Sequence, residues 1–194
     1  MKARDTMLPF ELPDTLEVSG NTYAIRTDYR DILRVLLAFD DPDLEGAEKL
    51  ELLLENIYID VEAIPPEDLQ EAVNAAMAFI DHGQEADGKS ARSMDWEQDA
   101  PLLFPAVNKV AGVEMREPGR YIHWWTFTGY FMEIHDSVFS SVLSLRQKRN
   151  KGKKLEKHEQ EFWKENKKIC ELKKRKSREQ IEEEARLNAI LGFS

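Results

Sequence analysis

The sequence predicts a mainly α-helical fold: a compact multi-helix domain with a small N-terminal β-hairpin and a long, basic C-terminal helical segment. Apolar residues recur at spacings of three and four along most of the chain, which is the period of amphipathic helices. Near the N-terminus they alternate with polar residues on both sides of a glycine turn. After residue 149 the composition changes to lysine and glutamate. We therefore expect a helical body over residues 1–149 and a basic helical segment over residues 150–194.

The hairpin and three helices account for the first 80 residues. Leu16–Val18 and Thr22–Ile25 flank the turn Ser19-Gly20-Asn21, which predicts two short antiparallel strands. Asp28 is typical of a helix start, because its side chain accepts hydrogen bonds from free amides. The apolar stripes of the three helices that follow are Ile32, Val35, Leu36 and Phe39; Leu50, Leu53, Leu54 and Ile57; and Leu69, Val73, Ala76 and Ile80.

Three further helices are expected in the most apolar part of the chain, residues 95–146. The fourth helix contains Pro105, which removes a backbone donor, so we expect it to start late or to kink there. The fifth, over residues 121–134, is apolar nearly all round and is therefore expected to be central. It contains Trp124 and Trp125, which we expect to pack in the interior. Phe139, Val142 and Leu143 mark the sixth.

The C-terminal segment carries the predicted partner-binding surface. Leu155, Phe162 and Ile169 are spaced seven residues apart among lysines and glutamates, as in a helix that lies along another helix. Ser177 is expected to cap a last short helix. The residues predicted to bind a partner are Leu155, Phe162, Trp163, Ile169 and Leu172.

Charge is unevenly distributed along the chain. The whole sequence has a formal charge of −10, yet residues 146–178 contain 15 Lys and Arg against 5 Asp and Glu. The rest of the chain is therefore strongly acidic, and an acidic body would repel a nucleic-acid backbone. No run approaches the ~18 apolar residues that a membrane span needs. The single cysteine excludes an intramolecular disulfide and suits a reducing cytoplasm.

One segment matches a nucleotide-binding motif in letters but not in context. Residues 83–90, GQEADGKS, fit the phosphate-binding loop pattern G-x-x-x-x-G-K-[ST]. That loop works between a strand and a helix, whereas the preceding residues have helical spacing and Glu85 and Asp87 would face the phosphates. We interpret the segment as a solvated loop, with a nucleotide-dependent enzyme as the competing hypothesis.

The other reactive side chains have simpler interpretations than catalysis. His123 is expected to be a hydrogen-bonded core histidine, and Asp95 and Asp99 to favour the positive end of a helix dipole. Cys170 could be activated by neighbouring lysines, but a small buried residue is the simpler interpretation. The spacing of Glu133, His135 and Asp136 matches no metal site. We expect no catalytic, cofactor or metal site, and no enzyme.

Three segments together resemble a known family: residues 95–108 (DWEQDAPLLFPAVN), 121–127 (YIHWWTF) and 142–146 (VLSLR). They are similar to tail assembly chaperones of long-tailed phages and prophages of Gram-positive bacteria, encoded near the tape-measure gene. The resemblance implies a protein without catalytic residues that binds the tape-measure protein and keeps it soluble during tail assembly.

The resemblance also sets expectations about partners and place. It implies action in the host bacterial cytoplasm and absence from the mature virion. Self-association is expected, with the tail tube protein as a further partner and no membrane. The alternative function is a nucleic-acid-binding or packaging accessory protein that uses the basic C-terminal segment.

Overall fold

The computed structural model describes residues 11–83 and 91–191, and over this range the mainly α fold with an N-terminal hairpin is confirmed. A two-stranded antiparallel sheet precedes the helices. The elements are β1 (Thr15–Val18), β2 (Asn21–Ala24), α1 (Tyr29–Phe39), α2 (Gly46–Ile57), α3 (Leu69–Ile80), α4 (Ala100–Ala111), α5 (Trp124–Met132), α6 (Val138–Asn150), α7 (Lys157–Glu165), α8 (Lys167–Cys170) and α9 (Arg178–Leu191).

The hairpin is attached to the start of α3. Ser19 and Gly20 form its turn with φ values of 50° and 79°, as two-residue turns between twisted strands require. The hydroxyl of Ser19 donates to Asp68 and Glu71 at 2.6 and 2.9 Å, and its N–H donates to Glu71 at 3.0 Å. Val18 is fully buried. Because a lone hairpin is marginally stable, these contacts explain how two short strands persist.

The core is centred on α1 and α5. Asp28 caps α1 by accepting from the amide of Arg30, as predicted. Tyr29 stacks on Phe127 of α5 at 4.5 Å between ring centroids, and its hydroxyl donates to the carbonyl of Met115 at 3.0 Å. The α1 helix also packs on α2, and α2 on α3. The apolar stripes predicted from helical spacing therefore meet in one core.

One helix prediction was wrong in detail, and one of the two alternatives given for another is excluded. The α5 helix begins at Trp124 rather than at 121, because residues 122–123 are extended and pair with the chain around Asp28. The predicted span is not buried throughout: Tyr121, which precedes the helix, is 62% exposed, and Met132, its last residue, is 69% exposed. The α4 helix does not start late, since it begins at Ala100 and continues through Pro105.

The C-terminal segment is helical in three pieces rather than in one long helix. Asn166 follows α7, and both its backbone N–H and its side-chain amide donate to the carbonyl of Phe162. The α8 helix ends at Cys170, where Arg146 binds the last carbonyls. Ser177 accepts from the amide of Gln180 at the start of α9, as predicted for a cap. The spacing of seven therefore does not lie along a single helix.

Candidate partner-binding surfaces

Trp124 belongs to the interior, as predicted, whereas its neighbour Trp125 is only half-buried. Trp124 is 3% exposed, and its indole N–H donates to the carbonyl of Ile80 at 2.9 Å. The indole N–H of Trp125 donates to the carbonyl of Phe79, also at 2.9 Å. The last carbonyls of a helix lack partners within that helix. The two rings therefore cap the C-terminus of α3 from the start of α5.

His123 is a hydrogen-bonded core histidine, as predicted. It is 5% exposed, and its Nδ1 accepts from the amide of Trp125 at 3.0 Å, which caps α5. Its Nε2 lies 2.9 Å from the carbonyl oxygen of Pro13. Because Nδ1 accepts, Nε2 carries the proton and donates to that carbonyl. Both ring nitrogens are thus used in holding the fold.

The other candidate reactive groups do not converge. Among the residues that the structure describes, no group of three or more His, Cys, Asp or Glu is placed to hold a metal ion. Of the loop 83–90, residues 84–90 lie outside the described residues. The element before that loop is helix α3, not a strand. Cys170 is fully buried, as the simpler interpretation predicted, and burial raises the pKa of its thiol.

Asp99 forms a buried ion pair that the sequence reading missed. Arg146 binds it with two hydrogen bonds of 2.7 and 2.9 Å, and the two side chains are 4% and 2% exposed. Asp99 also accepts from the amide of Asp95 at 3.0 Å. The signal was present in α6, because Phe139, Val142 and Arg146 follow the spacing of a buried stripe. An arginine on such a stripe requires a buried acid.

Asp95 forms a second, neighbouring cluster of charges. It accepts from the amides of Glu97 and Gln98, and it pairs with Arg92 and Arg175. Burial raises the pKa of Asp95, but the hydrogen bonds and charges of Arg175, Gln98 and Arg92 outweigh burial and lower that pKa to about 2. Neither Asp95 nor Asp99 is placed as a free carboxylate for acid–base chemistry.

The same clusters fasten part of the C-terminal segment to the body. Arg146 donates to the carbonyls of Ile169 and Cys170 at 2.6 and 2.8 Å. The side chain of Gln98 donates to the carbonyl of Glu171 at 2.7 Å and accepts from the amide of Lys173 at 2.9 Å. Residues 169–175 therefore pack against the helical body of the same chain. Carboxylates of that body neutralise part of the segment's positive charge.

The predicted partner-binding residues do not form one exposed row. Leu155, Phe162, Trp163, Ile169 and Leu172 are all half-buried. The guanidinium of Arg149 lies 4.2 Å above the ring of Trp163. Phe162 lines a cleft between α6 and α7 together with Ser141 and Leu145. The structure keeps Phe162 and Trp163 together on α7 and separates them from Ile169 and Leu172.

A surface that the sequence reading missed lies between α2 and α3. It is a groove of about 640 Å³. Leu50 on its wall is 39% exposed, whereas Leu54 beneath is 8% exposed. Its lining is mostly apolar, with three glutamates and a glutamine, and comprises Ala47, Leu50, Glu51, Leu54, Glu55, Val61, Glu62, Ile64, Pro66, Leu69, Gln70 and Val73. The repeat Leu-Glu at residues 50–51 and 54–55 was the available sequence signal.

A comparison with protein families gives a match over most of the chain. The family model described as "Bacteriophage Gp15 protein" matches residues 9–172. The chain belongs to the bacteriophage Gp15 protein family. No curated protein and no solved structure matches it.

The match places this Gp15 family protein among bacteriophage proteins and covers the body from residue 9 onward. It begins before the hairpin and ends two residues after α8, so it includes Arg146, Asp99 and the docked residues 169–172. The α9 helix lies beyond it. Within residues 11–83 and 91–191, this Gp15 family protein has no helix long and apolar enough to cross a membrane.

Proposed function

We propose that this protein is a phage tail assembly chaperone that binds the tape-measure protein and keeps it soluble while the tail is assembled, without catalysing a reaction. Membership of a bacteriophage family is the observation that carries the proposal. The segments that resemble tail assembly chaperones contribute core residues, among them Trp124 and His123, which hold α3, α5 and the N-terminal chain together.

The surface of the body supports binding to a polypeptide. A tape-measure protein is long, helical and partly apolar, so it needs cover until the tail tube surrounds it. The groove between α2 and α3 offers an apolar surface next to carboxylates, and binding in grooves is a common way of holding amphipathic helices. Moderate affinity for each copy is sufficient, because many copies on one long chain add avidity.

Co-expression tests the proposal directly. A tape-measure protein from the same phage or prophage is expressed alone, with this chain, and with an unrelated acidic protein of similar size. We expect its soluble fraction to rise only with this chain, and the two proteins to elute together in size-exclusion chromatography. Equal solubility in all three cultures would overturn the proposal.

The expected place of action and copy number follow from the same proposal. A chaperone of this kind acts in the host bacterial cytoplasm, associates with itself along its client, contacts the tail tube protein as assembly proceeds, and leaves before maturation. Mass spectrometry of infected or induced cells should therefore detect the chain in lysates and not in purified virions. Detection in virions at the level of a tail protein would contradict a transient role.

Nucleic-acid binding is the alternative, and one observation favours it. Lys151, Lys153 and Lys154 are exposed on the turn between α6 and α7, where they could contact phosphates. A gel shift with double-stranded DNA across a salt series discriminates the two functions. A shift at low salt that the triple change of these lysines to Gln abolishes would support the alternative.

A further inference from the structure

The groove between α2 and α3 has a distribution of charge that restricts what it can bind. Glu51 and Glu55 lie one helical turn apart on α2, and Glu62 lies in the 3₁₀ turn after it. All three are exposed and line the groove. Among the described residues that line it there is no lysine or arginine. An occupant must therefore combine apolar side chains for the floor with positive charge for the edge.

The shape of the site favours a helix as that occupant. The groove lies between the packed helices α2 and α3, and its floor is formed by Leu54 and Ile64, which are 8% and 4% exposed. Leu50, Leu69 and Val73 rise on the two sides. A third helix with apolar residues three and four apart can insert one row of side chains between two such walls.

The chain's own C-terminal helix α9 does not have this chemistry. It is exposed over residues 178–183 and 185–187, and Arg178 at its start pairs with Asp43. Its sequence REQIEEEARLNAIL carries four glutamates against two arginines. The acidic edge of the groove would repel it. The basic residues of the C-terminal segment do not fit better, because its apolar residues, such as Phe162 and Trp163, are half-buried on the body. The complementary charge must come from another protein.

We propose that the groove between α2 and α3 binds an amphipathic α-helix of another polypeptide, with apolar side chains on one face and Lys or Arg along the flank that meets Glu51 and Glu55. The inference deepens the proposed function, on which it rests for the identity of the partner, the tape-measure protein. The chemistry of the occupant follows from the groove alone.

A pair of synthetic peptides tests the chemistry. Both are amphipathic helices of about 18 residues with leucines at the same positions; one carries Lys and the other Glu on the flanks. Fluorescence anisotropy should show binding of the Lys peptide and much weaker binding of the Glu peptide. The double variant Glu51→Lys/Glu55→Lys should lower the affinity for the Lys peptide at least about tenfold and should bind the Glu peptide more tightly than the Lys peptide. Leu50→Ser should lower the affinity for both peptides.

A matched variant separates the groove from the general negative charge of the protein. Glu179→Lys/Glu183→Lys makes the same change of charge at two exposed α9 positions with the same spacing. It should change the affinity for the Lys peptide by less than about threefold. Equal weakening by the two double variants would overturn the inference, because attraction would then be general and not located in the groove.

Co-expression with the tape-measure protein distinguishes failure of the site from failure of the function. If the wild type solubilises it and Glu51→Lys/Glu55→Lys does not, both proposals stand. If the wild type and the double variant solubilise the tape-measure protein equally, the inference about the groove fails and the proposed function stands. If neither protein solubilises the tape-measure protein while the wild type binds the Lys peptide, the proposed function fails and the inference about the groove's chemistry stands. Sedimentation without peptide provides the last check: self-association that the groove variant abolishes would make a second copy the occupant and overturn the inference.

Discussion

Arg146 of α6 donates two hydrogen bonds of 2.7 and 2.9 Å to Asp99, the residue before α4. Both side chains are almost fully buried. The remaining N–H groups of Arg146 donate to the carbonyls of Ser93, Ile169 and Cys170. One guanidinium with all its donors used thus joins α4, α6, α8 and the loop before α4. This arrangement explains how a lysine-rich segment is held on an acidic body.

Replacing Asp99 with Ala should destabilise the protein by about 3–5 kcal/mol, because it leaves the charge of Arg146 buried without a partner. Urea unfolding followed by circular dichroism measures the loss. The control is Glu117→Ala, which removes the partner of the exposed Arg120 and should cost less than about 1 kcal/mol. Equal losses of stability in the two variants would show that the buried ion pair contributes no more to stability than the exposed one.

Acid should weaken the fold through Asp95. Its pKa is lowered from 3.8 to about 2 in the folded protein, so its contribution is fully present above the unfolded value and is lost as the pH falls towards 2. With the side chain 5% exposed, the contribution is on the order of 2 kcal/mol. Asp95→Asn should therefore lower stability at pH 7 and flatten its slope between pH 4 and 2. An unchanged slope in the variant would contradict this assignment.

The two indole caps of α3 should differ in weight. Trp124→Phe removes the donor to a buried carbonyl, that of Ile80, and should cost about 1–3 kcal/mol. Trp125→Phe should cost less, because Trp125 is only half-buried and water can replace its indole N–H. Thermal melting of both variants gives the comparison, and a larger loss for Trp125 would reverse the ranking.

Cys170 should report whether residues 169–175 are docked. Its thiol is fully buried and burial raises its pKa, so native protein should react slowly with a thiol reagent. Arg175→Gln removes the ion pair with Asp95 and should speed the reaction by about fivefold, the equivalent of ~1 kcal/mol of local stability. Arg178→Gln, at a side chain that is 89% exposed, should leave the rate unchanged.

The predicted partner-binding residues on α7 can be tested separately from the groove. Phe162→Ser/Trp163→Ser should leave the domain folded, because both rings are half-buried at an edge of the fold, and should weaken co-purification with the tape-measure protein. Val138→Ser, at an exposed apolar residue of α6, is the control. A double variant that fails to fold would mean that the two rings belong to the core.

Local elements could be predicted because their signals lie close together in the chain. Asp28 caps the next helix through a bond to Arg30, and Ser19-Gly20 turns within two residues. The start of α5 was misplaced because pairing of His123 with Asp28, 95 positions earlier in the sequence, holds the preceding residues extended. No local pattern reports such a contact.

Features that depend on neighbouring residues could be predicted from the sequence, whereas features that depend on distant contacts could not. Periodicity and composition were enough for the hairpin, the helical class, the interior position of Trp124 and the change in charge after residue 149, since each depends on neighbours within one or two turns. Packing decided that Arg146 is buried against Asp99 and that an acidic groove opens between α2 and α3. Burial of a charge and the shape of a groove depend on which distant surfaces meet, and that is a property of the folded chain as a whole.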